Sequence, residues 1–262
     1  MSFEGKIVLI TGASSGIGAA AAVYFAQQGA LLALVGRNAE RAESVAAKIR
    51  DSGVEVEPLV ILADITVDSE RIISETIEKY GRLDVLINNA AFGVPGSIET
   101  TRIEDYDAIF STNVRGTFLL TQLAVPHLLA SKGNIVNVSS VCGMRTFPIL
   151  LAYCMSKAAL DQFTQCVAVD LADRGVRVNC VSPGVVDTNF HEITLGFNKD
   201  SVEYAAIMDQ YANIHPMKRI GQTDECVNAI AFLANENTAA FITGTLLTVE
   251  LSIVERMFIS LI

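Results

Sequence analysis

The 262-residue chain carries 29 acidic against 19 basic side chains, for a formal charge of −10, and 51% of it is hydrophobic. That acidity argues against nucleic acid and anionic membrane as partners, since both select for basic surface, and no run of about eighteen apolar residues suggests a membrane span. Five scattered cysteines without a C-x-x-C pair and three isolated histidines point away from a metal site and toward a reducing, cytoplasmic location.

No Pro/Gly/Ser-rich linker interrupts the sequence, which is expected to form one α/β domain over 1–262. Ile7 to Ile10 is a short β-branched apolar run that suits a central parallel strand. Thr11-Gly12-Ala13-Ser14-Ser15-Gly16-Ile17-Gly18 follows, leading into a helical stretch from Ala19 to Gln28. Between strand and helix, such a turn lets the backbone approach a pyrophosphate, whose charge is held by N–H groups at the helix start. The bland alternative is a plain tight turn.

Leu31 to Val35 is the second strand and ends at Gly36-Arg37; a helix runs from Asn38, its N-cap, to Arg50, and Gly53 closes it. Val56 to Leu62 is predicted as the third strand, and Pro58 within it places it at a sheet edge. Asp64-Ile65-Thr66 precedes a helix from Val67 to Tyr80, which Asp64 or Asp68 could cap. Leu83 to Ile87 is strand four, followed by Asn88-Asn89-Ala90-Ala91.

Ile103 to Ser131 reads as one long helix with Asn113, a poor helix former, at mid-length. After a buried strand at Ile135 to Val138, a helix is expected from Ala152 to Asp173 and a further strand from Val176 to Val181. The segment at about 188–217 has no clean period, and Phe190, Ile193, Leu195, Phe197, Tyr204, Ile207, Met208 and Tyr211 among its polar residues suggest one or two short lid helices. An apolar lid favours an apolar small-molecule substrate. A helix from Thr223 to Asn235 and a strand from Gly244 to Val249 complete the pattern, before an atypical apolar tail at 251–262 that is expected to be buried against the body or a second subunit.

The chemistry centres on Tyr153 and Lys157, four residues apart and so on one helical face. An ammonium about 5 Å from a phenol, at an effective dielectric of roughly 20, favours the phenolate by about 3 kcal/mol, roughly two pH units. Tyr153 would then serve as a general acid or base. Ser140 lies thirteen residues upstream, at the end of a buried strand, and both strand end and helix start fall at the carboxyl edge of a parallel sheet, where open α/β folds place their sites.

A serine followed thirteen residues later by Tyr-x-x-x-Lys resembles the catalytic pattern of the short-chain dehydrogenase/reductases, and the Thr-Gly-x-x-x-Gly-x-Gly turn has their spacing. The resemblance covers about residues 5 to 250 and implies a Rossmann-type, doubly wound parallel sheet of about seven strands with helices on both faces. It implies hydride transfer between a nicotinamide cofactor and a carbonyl or secondary alcohol, with Asn113, 27 positions before Ser140, as a fourth catalytic residue that kinks its helix and holds a water. It also implies that Asp64 and Ile65 lie at the adenine, that Asn89 and Ala90 stabilise the sheet beside the cofactor, and that Pro183, Gly184, Val186 and Thr188 lie beside the nicotinamide. Ala91 departs from the family's usual glycine, and Leu251 onward departs from its usual C-terminal turn.

Relatives form dimers and tetramers, so a homodimer or homotetramer is implied as well. In a dinucleotide fold, an acidic residue ending the second strand binds the ribose 2′-OH and would repel a 2′-phosphate. Here that position is Gly36, and Arg37 beside it can pair with a phosphate. NADP(H) is therefore the expected cofactor, with NAD(H) as the alternative. Epimerisation or dehydration on the same Tyr-Lys pair, and a non-catalytic nucleotide sensor, are the other readings.

Overall fold

The computed structural model describes residues 1–53, 57–196 and 198–250. Seven strands form one parallel sheet: β1 (Ile7–Thr11), β2 (Leu31–Gly36), β3 (Leu59–Leu62), β4 (Val85–Asn88), β5 (Asn134–Val138), β6 (Arg177–Pro183) and β7 (Leu246–Val249). Their order is β3-β2-β1-β4-β5-β6-β7, with in-register pairs such as Ile10↔Leu34 and Ile10↔Ile87. All six pairings are parallel, so every strand's carboxyl end lies on one edge and the chain reverses its direction of winding between β1 and β4. Rossmann-type folds bind their ligands at that reversal.

Because successive strand residues face opposite sides, β1 feeds two cores. Val8 and Ile10 pack on one face, with Phe25 of helix α1 (Gly16–Gln27) and Ile230 of helix α9 (Thr223–Ala234). Ile7 and Leu9 pack on the other, with Ile72 of α3 (Ser69–Tyr80) and Leu120 and Leu128 of α5 (Thr117–Ser131). A strand buried on both faces must be apolar at nearly every position, which is why the short strands carry almost no alternation.

Two expected boundaries shift for physical reasons, and the N-cap expected at Asn38 is present. Among the described residues strand β3 pairs from Leu59 onward, at the sheet edge, because Pro58 has no N–H to add to the ladder; Val56, the expected start, lies outside the described residues. Helix α2 (Ala39–Asp51) follows Asn38, whose Oδ1 accepts from Arg41 N at 2.8 Å. The helix expected over 103–131 consists of α4 (Ile103–Phe110), a π-helical turn (Ser111–Gly116) and α5. That turn is the local irregularity that frees the Asn113 side chain: Oδ1 accepts from Phe92 N at 3.1 Å, and Nδ2 donates to Phe92 O at 2.9 Å and Ser156 Oγ at 3.0 Å.

Helix α6 (Leu151–Leu171) carries the Tyr-Lys pair. The lid contains two helices, α7 (Phe190–Leu195) and α8 (Val202–Ile214); α10 (Glu236–Ala239) is a short turn before β7. Phe197, the side chains of Ile193 and Leu195, and the tail at 251–262 lie outside the described residues.

Candidate active site

The glycine turn is built first by hydrogen bonds between β1 and the end of β4. Thr11 Oγ1 accepts from Asn89 N and Ala90 N, each at 3.0 Å, while Asn89 Nδ2 donates to Thr11 O at 3.0 Å and Gly12 O at 3.2 Å. Asn89 and Ala90 therefore hold the turn in place and also line the cavity above it. Gly12 and Gly16 have φ of +64° and +53°, conformations that side chains rarely adopt.

Helix α1 starts at Gly16 with no side-chain cap from Ser15 and no acidic residue in its first turn. Its unpaired N–H groups are left for an anion beside the cavity wall formed by Gly12, Ser14, Ser15, Gly16 and Ile17. Gly18 lies underneath: a Cβ there would strike Gly12 O. The missing side chain lets helix and strand approach closely beneath the turn.

From this turn a cavity of about 600 Å³ runs in two directions along the carboxyl edge of the sheet. Toward β2 and β3 its wall contains Gly36, Arg37, Asn38, Arg41, Asp64 and Ile65. The Arg37 side chain is 66% exposed, and Nη1 lies 3.4 Å from Asp64 Oδ2. Burial works to raise the Asp64 carboxyl, but hydrogen bonds from Thr66 N and Oγ1 and the Arg37 charge overcome it and hold the group below its ordinary range. Arg41, in the first turn of α2, is a second guanidinium at this end that is not conspicuous in the sequence. Its signal was its spacing of four from Arg37, hidden because the N-cap lies between them.

In the other direction the wall contains Ser140, Tyr153 and Lys157, then Pro183, Gly184, Val186 and Thr188 beyond β6. Ser140 Oγ accepts from Cys142 N at 3.1 Å, which fixes it at the mouth of a short 3-10 turn (Val141–Gly143). From there it favours ionisation of the Tyr153 hydroxyl, with which it shares the cavity wall. Lys157 is 2% exposed; Nζ donates to Val138 O at 2.8 Å and sits 5.6 Å from the centre of the Tyr153 ring.

The expected lowering of the tyrosine pKa is corrected by burial. Desolvation is the largest influence on Tyr153 and pushes its phenol well above the ordinary value, against the pull of Ser140. Burial also brings Lys157 down to about 8, opposed by Cys180 and Asp161. Helical spacing reveals the nearby ammonium but not desolvation, which for a buried pair is the larger quantity. In this environment Tyr153 holds its proton at neutral pH, as a proton donor must.

Asn113 does not reach the cavity wall. Its amide is committed to Phe92 and Ser156, and Ser156 Oγ donates to Tyr153 O at 2.7 Å. It thus braces the backbone behind Tyr153 and holds Phe92, which does line the cavity. Over the reactive end Phe147, Ile149, Leu150, Phe190, Ile207 and Tyr211 form an apolar wall, with Phe190 5.2 Å from Tyr153 between ring centres. Among the described residues, no cluster of His, Cys, Asp or Glu could hold a metal ion, and no helix is long and apolar enough to cross a membrane.

The glycine cradle, the uncapped helix start and the elongated cavity fit a dinucleotide. A family model described as enoyl-(acyl carrier protein) reductase matches residues 12–251. A protein of Thermotoga maritima described as an uncharacterised oxidoreductase is 40% identical, covering 95% of this chain and 98% of its own length. The glucose 1-dehydrogenase of Gluconobacter oxydans is 36% identical, with 95% and 91% covered. A crystal structure of a short-chain dehydrogenase/reductase of unknown function from Caenorhabditis elegans, with cofactor, superimposes with a TM-score of 0.88 at 37% identity, covering 94% of each chain. The sheet order, the Ser-Tyr-Lys cluster and these likenesses agree: the chain belongs to the short-chain dehydrogenase/reductase family of oxidoreductases.

Proposed function

We propose that the protein transfers a hydride between NADP(H) and a carbonyl or secondary alcohol of an apolar small molecule. The observation that carries this reading is one continuous cavity with Ser140, Tyr153 and Lys157 in its wall at one end and Arg37 and Arg41 at the other, joined by the glycine turn. The cofactor, when bound, supplies or accepts the hydride.

For carbonyl reduction, the Tyr153 hydroxyl gives its proton to the substrate oxygen, and Ser140 donates a hydrogen bond to the charge that develops there. The Lys157 ammonium stabilises the tyrosinate left behind, an interaction strengthened by the burial of both groups. Phe190 and Tyr211 keep water from the reacting centre. Pro183, Gly184, Val186 and Thr188 form the wall for the nicotinamide half, while Asp64 and Ile65 form it for the adenine half.

Support for NADP(H) comes from two guanidiniums and no carboxylate at position 36. Support for an apolar substrate comes from the aromatic and aliphatic wall, although relatives bear names as different as glucose 1-dehydrogenase and meso-2,3-butanediol dehydrogenase. Phe118 on α5 and Met155 and Val169 on α6 expose apolar side chains, which supports self-association through these helices. The test follows cofactor absorbance with NADPH and NADH against a panel of ketones and aldehydes, and with the oxidised forms against secondary alcohols. Turnover confined to polar sugars, or to NADH, contradicts the reading.

A further inference from the structure

The lid carries polar atoms that the mechanism does not use. His191 and Thr194 are three residues apart on α7, so they share one face of it, and both line the cavity. Thr194 is 5% exposed. Its Oγ1 and the Nδ1 of His191 are closed off from solvent, and neither has a hydrogen-bond partner among the described residues. Buried polar atoms are nearly always paired, so two orphans on one face of the lid call for a partner from outside the chain. Their place relative to Tyr153 is fixed from two sides. A Cβ at position 93 would fall 3.2 Å from Tyr153 Cδ2 and 3.4 Å from Thr194 Cγ2, so the threonine and the reactive ring flank the same glycine. The Phe190 ring centre is 5.2 Å from that of Tyr153 and 5.9 Å from that of His191, and the Tyr211 ring lies 6.1 Å from His191.

We infer that His191 and Thr194 form a subsite for a second oxygen of the substrate, a neutral hydroxyl carried close to the reacting carbonyl on an otherwise apolar body. The inference rests on the carbonyl–alcohol reading above and narrows its substrate class to hydroxyketones and, in the reverse direction, diols. Both residues belong to the lid, so a modest shift of α7 brings a substrate hydroxyl within reach of them.

The chemistry of the two groups selects the hydroxyl. Burial, opposed by Asp187, holds His191 below its ordinary range and so uncharged at neutral pH. A neutral imidazole has one donor nitrogen and one acceptor, and a threonine hydroxyl both donates and accepts. A substrate hydroxyl therefore meets either tautomer of the ring and either role of the threonine, whereas a carbonyl or ether oxygen can only accept. A carboxylate would need a cation. The Lys and Arg side chains of the wall are Arg37 and Arg41 at the far end and Lys157, whose Nζ is committed to Val138 O at 2.8 Å. A sugar would press its further hydroxyls against Phe147, Ile149, Leu150 and Ile207, whose side chains offer them no partner.

The test compares octan-2-one with 1-hydroxyoctan-2-one, which differ by one hydroxyl. The parent is expected to favour the hydroxyketone by roughly tenfold or more in kcat/KM. An α-oxygen also activates a ketone chemically, so the decisive readout is how that preference changes in Thr194→Val and His191→Phe, which keep the bulk and remove the polar atoms. Each is expected to lower the preference at least fivefold; a preference unchanged in both overturns the inference and leaves the two atoms to trapped water. The same ketones are titrated calorimetrically onto the complex with oxidised cofactor, in which no hydride is available to either. Tighter binding of the hydroxyketone to the parent, lost in both variants, supports the subsite even where neither ketone turns over, a result that contradicts the proposed activity alone. Equal dissociation constants for the two ketones in the parent overturn the subsite whatever the turnover.

Discussion

Replacing Arg37 with alanine removes the guanidinium at the end of β2, and the structure sets the size of the effect. A 2′-phosphate carries nearly two negative charges at neutral pH, and each unit pair at about 4 Å in a solvent-like dielectric contributes about 1 kcal/mol. The solvent value applies because Arg37 is 66% exposed. From the resulting ~2 kcal/mol, the existing pairing with Asp64 at 3.4 Å is subtracted, an exposed ion pair worth up to about 1 kcal/mol. The net loss of ~1–2 kcal/mol corresponds to a roughly five- to thirtyfold lower kcat/KM with NADPH.

With NADH the same variant is expected to stay within about twofold of the parent, and the NADPH effect is expected to shrink as salt rises, since exposed charges are screened over ~10 Å at 0.1 M. The assay compares the two cofactors on one substrate at equal ionic strength. A parent that prefers NADH, or an Arg37→Ala variant equally impaired with both, refutes the reasoning. Full reversal by Gly36→Asp with Arg37→Ala meets an obstacle that the sequence did not reveal. A Cβ at position 36 falls 3.1 Å from both Ser14 Cβ and Oγ, so the exchange requires Ser14 to give by a few tenths of an ångström.

Gly18→Ala forces a methyl onto Gly12 O and within 2.5 Å of Asn89 Nδ2, an overpacking that costs about 1–3 kcal/mol. The melting temperature is expected to fall by about 3–10 °C, with weaker cofactor binding, and an unchanged melting curve contradicts this packing role. Lys157 titrates near 8, so activity that needs its ammonium is present below that pH and declines as pH rises through it. Asp161, buried one turn further along α6, favours the Lys157 charge. Asp161→Asn is therefore expected to move the alkaline limb of the pH–rate profile to lower pH, and an unmoved limb with reduced kcat means that Asp161 only packs.

Much of the architecture was legible because a doubly wound sheet leaves local marks. Val8, Ile10, Ile7 and Leu9 had to be apolar to fill two cores at once, and Pro58 marked the edge strand by its missing donor. The glycine turn and the Ser140, Tyr153 and Lys157 cluster were readable for the same reason, since spacing along a strand end and a helix face fixes their direction. What depended on depth was not readable. Gly18 and Gly12 share one turn, yet one lines the cavity and the other supports it. Asn113 stood out as a weak helix former, but its bonds to Phe92 and Ser156 come from the π-turn geometry. Arg41 joins Arg37 in the cavity wall from the first turn of α2, and Tyr153 is covered in part by Phe190, distant from it in sequence.

The central claim, that Tyr153 is the proton donor of an NADP(H)-dependent oxidoreductase, is tested most directly by Tyr153→Phe. The substitution removes one hydroxyl and keeps the ring that packs against Phe190, so the cavity is preserved. The measurement pairs kcat on the best carbonyl substrate with the NADPH dissociation constant from fluorescence titration. The expected result is a kcat lower by about 10²–10⁴ with the dissociation constant within about twofold of the parent; activity within threefold of the parent contradicts the claim.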